Sequence, residues 1–214
     1  MDTDKITSYP GAVEYLIVLF DLINKEFFES ALSRPTLTIQ STPKAYGHFV
    51  AKSDTWISSE ESSCEINMGA GTLARPIDET VGTMMHEMVH YWNFVRGIKD
   101  CSRRGKYHKK KFKAAAEEKG LRTVKTERYG WSQTEPTDQI RDFVKKHNLT
   151  DIQIFRNEGY FYVKGGDKDD EENKPQKKKS STRKYVCPCC GTSVRATRTV
   201  RIMCMECDEE MIEE

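Results

Sequence analysis

The chain has 214 residues, of which 37% are hydrophobic and 31% are charged, and its formal net charge is +1. This length and apolar content are enough to bury a core, which excludes an extended disordered protein. The most apolar run, residues 12–23, is too short for a membrane span and contains Glu14 and Asp21, so we expect no membrane partner. Because the N-terminus lacks the basic start of a secretory signal, we expect a cytoplasmic protein.

The first part of the chain predicts a long helix and then short strands. Residues 10–32 place apolar side chains at helical spacing, which is typical of a helix that packs against a core. Three stretches rich in β-formers follow at residues 36–40, 45–51 and 64–69, separated by turn residues. They predict a small, mostly antiparallel sheet.

A second long helix is predicted to begin at Pro76 and to end at Gly97, with acidic residues in its first turn. It carries His86-Glu87-Met88-Val89-His90. On a helix the two histidines lie one turn apart on the same face, so both imidazoles can reach one zinc ion. Glu87 lies at the edge of that face, where it can act on an activated water molecule. This arrangement indicates metal-dependent hydrolysis.

A catalytic zinc usually takes three protein ligands, so the histidine pair needs a partner. The metzincin pattern is excluded, because Asn93 and Arg96 occupy the positions of its glycine and third histidine. A thermolysin-like glutamate, Glu117 or Glu118, remains open, as does His108. We favour His108, which we place at the start of a helix over residues 107–118, because imidazole is the commoner zinc ligand.

Signals weaken after residue 122, with one helix predicted near residues 138–147 and two β-like stretches at 152–156 and 160–163. The composition then becomes almost purely polar and charged, which predicts a flexible linker. We therefore divide the chain into a domain over residues 1–164, a linker over 165–184 and a small domain over 185–214.

Cysteines are concentrated in the small domain, which favours a reducing compartment and a metal site over disulfides. Two Cys-x-x-Cys pairs predict a structural zinc ribbon with Cys187, Cys190, Cys204 and Cys207 as ligands. The stretch between the pairs fits a short β-hairpin. Cys189 is a surplus thiol, and we choose Cys187 over it because the spacing to Cys190 then matches the second pair. We expect two zinc ions per chain, one catalytic and one structural.

The chain resembles the SprT-like family of zinc metallopeptidases, to which the Spartan proteases belong. The resemblance is carried, in chain order, by the first helix and the strands with Gly47-His48-Phe49, the helix over residues 86–92, the Gly105-to-Phe112 segment and the ribbon. The resemblance implies an α+β, minimal zincin-like fold followed by a zinc ribbon. It implies His108 as the third zinc ligand and Glu87 as the catalytic base. It also implies a zinc metalloendopeptidase, and for Spartan members DNA-stimulated cleavage of proteins trapped on DNA.

A basic segment, defined as residues 96–113, flanks the predicted site. It contains nine cations and one acid, Asp100. The cations are Arg96, Lys99, Arg103, Arg104, Lys106, Lys109, Lys110, Lys111 and Lys113. Such a density predicts sequence-independent contact with single- or double-stranded DNA, and nucleoid association in a bacterial or phage protein.

Two questions stay open at the level of sequence. Tyr91, Tyr107 and Tyr129 are all candidates to stabilise the oxyanion of the reaction, and the sequence does not select one. The alternative function is a non-catalytic, zinc-stabilised nucleic-acid-binding adaptor or regulator. Glu87 separates the two hypotheses, because a purely structural site does not need a base beside the metal.

Overall fold

The structure, a computed structural model, describes residues 5–60, 62–103, 105–157 and 182–213. The chain forms two compact units, Met1–Tyr162 and Val163–Glu214. In the part of the chain that the structure describes, no helix is long and apolar enough to cross a membrane. The predicted linker and the predicted stretch at 160–163 lie outside the described residues, except for the last three positions of the linker.

Helix α1, Tyr9–Phe27, begins after Ser8, whose hydroxyl accepts a hydrogen bond from the Gly11 N–H. This N-cap satisfies one of the free N–H groups of the first turn. The helix ends before the predicted position because Glu29 and Ser30 adopt positive φ angles, which no α-helix can contain. The apolar residues Leu16, Leu19, Phe20 and Ile23 of this helix are fully buried.

The strands that follow are β1 (Thr36–Gln40), β2 (Gly47–Val50), β3 (Trp56–Ile57), β4 (Ser62–Ser63) and β5 (Glu65–Gly69). β5 lies in the centre of a three-stranded sheet of order β1-β5-β2, parallel to β1 and antiparallel to β2. β3 and β4 form a separate hairpin. The three predicted strands are present, and β2 is an edge strand.

Helix α2, Ile77–Val95, follows Pro76 and carries Asp78 and Glu79 in its first turn, where they favour the positive end of the helix dipole. Gly97, two residues beyond its end, has a φ of 67°, as a helix-terminating glycine does. The methionines of α2 are buried in the core. α2 packs against α1, the β1-β5-β2 sheet and the elements that follow it.

The elements after α2 are β6 (Cys101–Ser102), β7 (Tyr107–His108), α3 (Lys110–Glu118), β8 (Leu121–Thr126), β9 (Gly130–Pro136) and α4 (Asp138–Lys146). The four strands form a sheet of order β6-β7-β9-β8. The predicted helix start at residue 107 is wrong, because Tyr107 and His108 pair with β6. The hairpin of β8 and β9 was not predicted. The β-like stretch predicted at residues 152–156 is not a strand, and within it Ile152 forms an isolated bridge with Ile6.

Within residues 182–213, the part of the C-terminal unit that the structure describes, there are five short strands: β10 (Arg183–Val186), β11 (Ser193–Ala196), β12 (Met203–Cys204), β13 (Glu209–Glu210) and β14 (Ile212–Glu213). The first Cys-x-x-Cys pair lies in the turn between β10 and β11. In the second pair, Cys204 is the last residue of β12 and Cys207 lies in the turn before β13. The predicted hairpin between the two pairs is therefore replaced by one hairpin around each pair. Both units together make an α+β protein, as predicted.

Candidate metal centre and active site

Three histidine side chains converge at one point of the N-terminal unit. His86 and His90 extend from one face of α2, and His108 reaches the same point from β7. The Nε2 atoms of His86 and His90 are 3.3 Å apart, and His108 Nε2 lies 3.2 Å and 3.0 Å from them. The structure therefore brings the three predicted residues together, although His108 approaches from a strand rather than from a helix.

This triangle fits a divalent metal ion. A tetrahedral zinc with Zn–N bonds of about 2.0–2.1 Å holds its nitrogen ligands about 3.3 Å apart. The three Nε2 separations are within a few tenths of an ångström of that value. The three side chains could accordingly hold zinc and leave a fourth position open.

The other ring nitrogens of the two α2 histidines are held by neighbouring side chains. His90 Nδ1 lies 2.8 Å from Asp100 Oδ2, and His86 Nδ1 lies 3.1 Å from Thr134 Oγ1. Asn93 donates a further hydrogen bond of 3.0 Å to Asp100 Oδ2. A partner on Nδ1 fixes the ring and leaves Nε2 with its lone pair facing the metal position. Asp100 and Thr134 therefore orient the metal-binding nitrogens.

The protonation of His86 and His108 suits such a site. Burial lowers the pKa of His86 well below its ordinary value, and burial also lowers the pKa of His108 to about 4. Burial opposes the charged form of His90 as well, but its hydrogen bond with Asp100 prevails and raises its pKa to about 10. At neutral pH His86 and His108 are therefore neutral, the form in which imidazole binds a metal.

Gly130 brings β9 against the strand that carries His108. Gly130 is the register partner of His108, and its φ is 68°. A Cβ at this position would lie 2.2 Å from the His108 carbonyl oxygen. The His108 N–H donates to the Tyr129 carbonyl at 2.9 Å. Only glycine allows the backbone approach that fixes His108 in this position.

Phe112 of α3 forms the apolar base of the histidine cluster. Its ring centroid lies 4.6 Å, 4.5 Å and 4.7 Å from the rings of His86, His90 and His108. Phe112 is fully buried. Its packing keeps water away from one side of the cluster and restricts the rotation of all three imidazoles.

Glu87 lies beside the histidines and beneath the edge strand β2. Its side chain is buried, and the backbone N–H of Phe49 donates to its carboxylate. Burial raises the pKa of Glu87 to about 7, although His90 and the Phe49 hydrogen bond act in the opposite direction. A carboxylate with a pKa near neutrality is well suited to accept and return a proton.

Glu117 and Glu118, the alternative candidates for the third zinc ligand, are engaged with other side chains. Glu117 accepts a hydrogen bond of 2.7 Å from Thr123 and lies 3.7 Å from Lys113, while Glu118 pairs with Lys119. Tyr91 is buried, and its hydroxyl lies 2.7 Å from Ser33 Oγ. Both glutamates therefore have partners other than the histidines. The Tyr91 hydroxyl is held by Ser33, which argues against Tyr91 as the group that stabilises the oxyanion.

The four predicted cysteine ligands also form one cluster. The Sγ atoms of Cys187, Cys190, Cys204 and Cys207 all lie within 4.8 Å of one another. Cys190 and Cys204 are 3.7 Å apart, and a tetrahedral zinc with Zn–S bonds of about 2.3 Å requires about 3.8 Å. The neighbouring thiols, of which Cys190 has the largest effect, raise the pKa of Cys207. Without a cation, the negative charges of several close thiolates repel one another, which disfavours the thiolate form. The cluster could hold a metal ion.

The basic segment surrounds the β6–β7 hairpin and the start of α3. Its exposed members are Arg96, Lys99, Arg103, Lys106, Lys110 and Lys111, and Arg104 lies outside the described residues. Lysines also occupy the first turn of α3, which has no acidic residue there. Positive charge is unfavourable at the N-terminus of a helix, where the helix dipole is itself positive. The lysines in the first turn of α3 therefore do not stabilise this helix.

The orienting residues were missed by sequence reasoning. The sequence distinguishes Asp100 only as the single acid of the basic segment. That feature could have indicated Asp100 as the hydrogen-bond partner of His90. Thr134 lies 48 positions from His86 on a hairpin that was not predicted. Phe112 could be recognised only as one more apolar residue.

The model of the SprT-like family matches residues 16–129 of the chain. This range is more than half of the sequence and includes the three histidines, Glu87 and Asp100. The cysteine cluster lies outside it. No curated protein and no solved structure matches the chain.

Proposed function

Because the chain belongs to the SprT-like family, we propose that it is a zinc-dependent metalloendopeptidase that hydrolyses peptide bonds in proteins at or near DNA. The observation that carries this proposal is the triangle of Nε2 atoms beside a buried glutamate on the same helix. His86, His90 and His108 are the proposed ligands of the catalytic zinc. The four clustered cysteines are the proposed ligands of a structural zinc.

When bound, zinc polarises the scissile carbonyl and makes a water molecule acidic enough to be deprotonated near neutral pH. Glu87 would accept a proton from the attacking water on a carboxylate oxygen as the water oxygen bonds to the carbonyl carbon. It would return the proton to the amine nitrogen of the leaving peptide as the C–N bond breaks. The Phe49 N–H holds the Glu87 carboxylate during both transfers, and Asp100 and Thr134 hold the rings of His90 and His86.

The edge strand β2 is the proposed platform for the substrate backbone. It pairs with β5 on one side, and it packs against α2 next to Glu87. An extended peptide can add to such an edge through backbone hydrogen bonds. This pairing would bring a peptide bond towards the metal position without selecting a sequence.

The enzymatic proposal is tested with Glu87→Gln in the full chain. We expect cleavage of an unstructured basic protein to fall about 10²- to 10⁴-fold, because the general base is lost. The zinc content should stay unchanged, since the histidines are intact. Glu14→Gln, on the exposed face of α1, is the matched control. Equal cleavage by Glu87→Gln and wild type would favour the non-catalytic adaptor instead.

The DNA part of the proposal is supported by the exposed cations around the site. We expect the protein to bind single-stranded and duplex oligonucleotides with an affinity that decreases steeply with salt. The double change Lys110→Glu, Lys111→Glu should weaken binding about tenfold or more at low salt. The double change Lys125→Glu, Lys145→Glu alters the net charge equally on other elements. If the two variants weaken binding equally, the basic segment is not the binding surface.

A further inference from the structure

Arg75, which lies just before helix α2, contacts both α2 and the segment that leads into the edge strand β2. Its Cζ atom lies 3.7 Å from the centroid of the Tyr46 ring, and Tyr46 immediately precedes β2. Its Nη2 donates a hydrogen bond of 2.7 Å to Thr83 Oγ1, and Thr83 lies one turn before Glu87 in α2. Arg75 therefore connects the start of β2 to the turn of α2 that precedes the proposed base.

Two further contacts hold the Arg75 guanidinium in place. Its Nε donates a hydrogen bond of 3.1 Å to the Thr72 carbonyl oxygen, and its Nη1 lies 3.5 Å from Glu79 Oε2. The Arg75 side chain is only 18% exposed. A planar guanidinium stacks on a ring with its face and donates hydrogen bonds from its edge in fixed directions. It can therefore set the distance between the two groups that it joins.

Gly47, the first residue of β2, shows how closely the strand approaches the helix at this point. A Cβ on Gly47 would lie 3.2 Å from Thr83 Cγ2 and 3.4 Å from Glu87 Cγ. The same atom would lie 2.8 Å from the Asn67 carbonyl oxygen of β5. β2 thus begins close against the side chains of Thr83 and Glu87. A shift of its first residues would change the position of the proposed substrate platform relative to Glu87.

We propose that Arg75 is a positioning residue of the peptidase reaction, which acts through Tyr46 and Thr83 to hold the edge strand at its distance from Glu87. The inference rests on the proposed function, because it assumes that Glu87 is the base and that β2 carries the substrate backbone. A displacement of about 1 Å between a catalytic group and its substrate can reduce turnover about 10²-fold. Arg75 acts on this distance and takes no part in proton transfer.

The first test compares peptide cleavage by the zinc-loaded full chain with that by Arg75→Lys and by Thr83→Val. Lysine keeps the positive charge, but it has no plane to stack on Tyr46 and no fixed fork of donors. Valine keeps the shape of Thr83 and removes the hydroxyl that accepts from Arg75. We expect kcat to fall about 10-fold or more in each variant, while KM changes less than about twofold and zinc content stays unchanged.

The double variant Arg75→Lys, Thr83→Val separates one shared action from two independent ones. Both substitutions break the same connection, so the double variant should have the kcat of the single variants, whereas independent effects would multiply. Arg34→Lys is the matched control, because the Arg34 guanidinium bonds Asp21 of α1. This control should cleave as wild type does.

Amide hydrogen exchange gives a readout that does not depend on peptidase activity. In Arg75→Lys we expect the amides of β2 that pair with β5 to exchange at least about fivefold faster. The amides of the β8–β9 hairpin should exchange at the wild-type rate, because Arg75 does not hold that hairpin. A local loss of protection distinguishes the loosening of β2 from a general loss of stability.

Three results would each overturn the proposal. The first is a wild-type kcat with wild-type exchange in Arg75→Lys. The second is a rise in KM at unchanged kcat, which would make Arg75 a substrate-binding residue. The third is faster exchange in both sheets alike, which would indicate a purely structural role. Glu87→Gln is measured alongside: if it cleaves as wild type does, the proposed function fails, and the exchange rates alone then decide whether Arg75 holds β2 against α2.

Discussion

At the scale of single residues, Asp100 is the side chain on which the geometry of the histidine triangle depends most. Its Oδ2 accepts from His90 Nδ1 at 2.8 Å and from Asn93 at 3.0 Å. Asp100 is 9% exposed, so solvent screens the contact with His90 only weakly. The carboxylate therefore fixes the orientation of His90.

Asp100→Asn should weaken zinc binding at the histidine site about 10- to 100-fold, which is typical of the loss of a carboxylate partner. The amide can still accept one hydrogen bond, but it lacks the negative charge that makes the imidazole more basic. Competition with a chelator of known affinity measures the effect. Asp142→Asn, on the exposed side of α4, should bind zinc as wild type does. An unchanged affinity of Asp100→Asn would mean that His90 is oriented by packing alone.

At this scale the sequence predicted the histidines and the glutamate that the structure brings together, but not the side chains that contact them. His86, Glu87 and His90 are recognisable because helical spacing alone places them on one face. His108 was predicted from residue type, although its element was assigned wrongly. Thr134 and Phe112 act through contacts between elements, and local pattern carries no information on such contacts.

At the scale of elements, the contact between β7 and β9 determines where His108 lies. Gly130→Ala places a Cβ 2.2 Å from the His108 carbonyl oxygen at a φ of 68°. We expect a loss of about 1–3 kcal/mol in the free energy of unfolding from the backbone strain alone, and weaker zinc binding because His108 is displaced.

Gly97→Ala provides a matched control for this change. Gly97 has a φ of 67°, but no atom lies within 4 Å of the position that an alanine Cβ would take there. The two substitutions thus share the strain and differ in the clash. Denaturant unfolding and zinc titration of both variants separate the two effects. If Gly97→Ala loses as much zinc affinity as Gly130→Ala, the contact between β7 and β9 does not position His108.

The packing of α4 against α1 carries a pH dependence. Glu26 Oε1 lies 2.6 Å from both Lys146 Nζ and His147 Nε2. The hydrogen bond from Lys146 lowers the pKa of Glu26 below its ordinary 4.5. A carboxylate whose folded-state pKa is lowered stabilises the fold above its unfolded pKa, and this contribution disappears as the pH falls through the folded-state pKa.

Glu26→Gln should lower the free energy of unfolding by about 0.2–1 kcal/mol at pH 7, the range for an ion pair open to solvent. The difference from wild type should vanish at a pH well below 4.5, where Glu26 is protonated. Urea unfolding at both pH values measures it, with Glu14→Gln as the control on the same helix. A difference that persists at low pH would indicate packing rather than charge.

At the scale of the whole molecule, the chain consists of two units with separate cores. The core of the N-terminal unit involves α1, the β1-β5-β2 sheet, α2, α3 and α4, while that of the C-terminal unit is centred on Tyr185 and the cysteines. Cysteine spacing and a change in composition predicted a domain over residues 1–164, a linker over 165–184 and a small domain over 185–214, whereas the two compact units of the structure divide between residues 162 and 163. The sequence did not predict the hairpin of β8 and β9, because alternating polar residues there give no clear apolar face.

Separate cores predict that the two proposed zinc ions can be removed independently. Wild type should contain two zinc ions per chain, His108→Ala should lose the catalytic zinc, and Cys204→Ser should lose the structural zinc. Each variant should keep the other ion, because the two sets of ligands belong to different units. Metal analysis by mass spectrometry gives the stoichiometry.

Two substitutions control for the loss of a histidine or a cysteine as such. His147→Ala removes an imidazole that pairs with Glu26 of α1, and Cys189→Ser removes the thiol outside the ligand set. Both should retain two zinc ions. If Cys204→Ser lost both ions, the fold of the histidine site would depend on the C-terminal unit, and the two units could not be treated as independent.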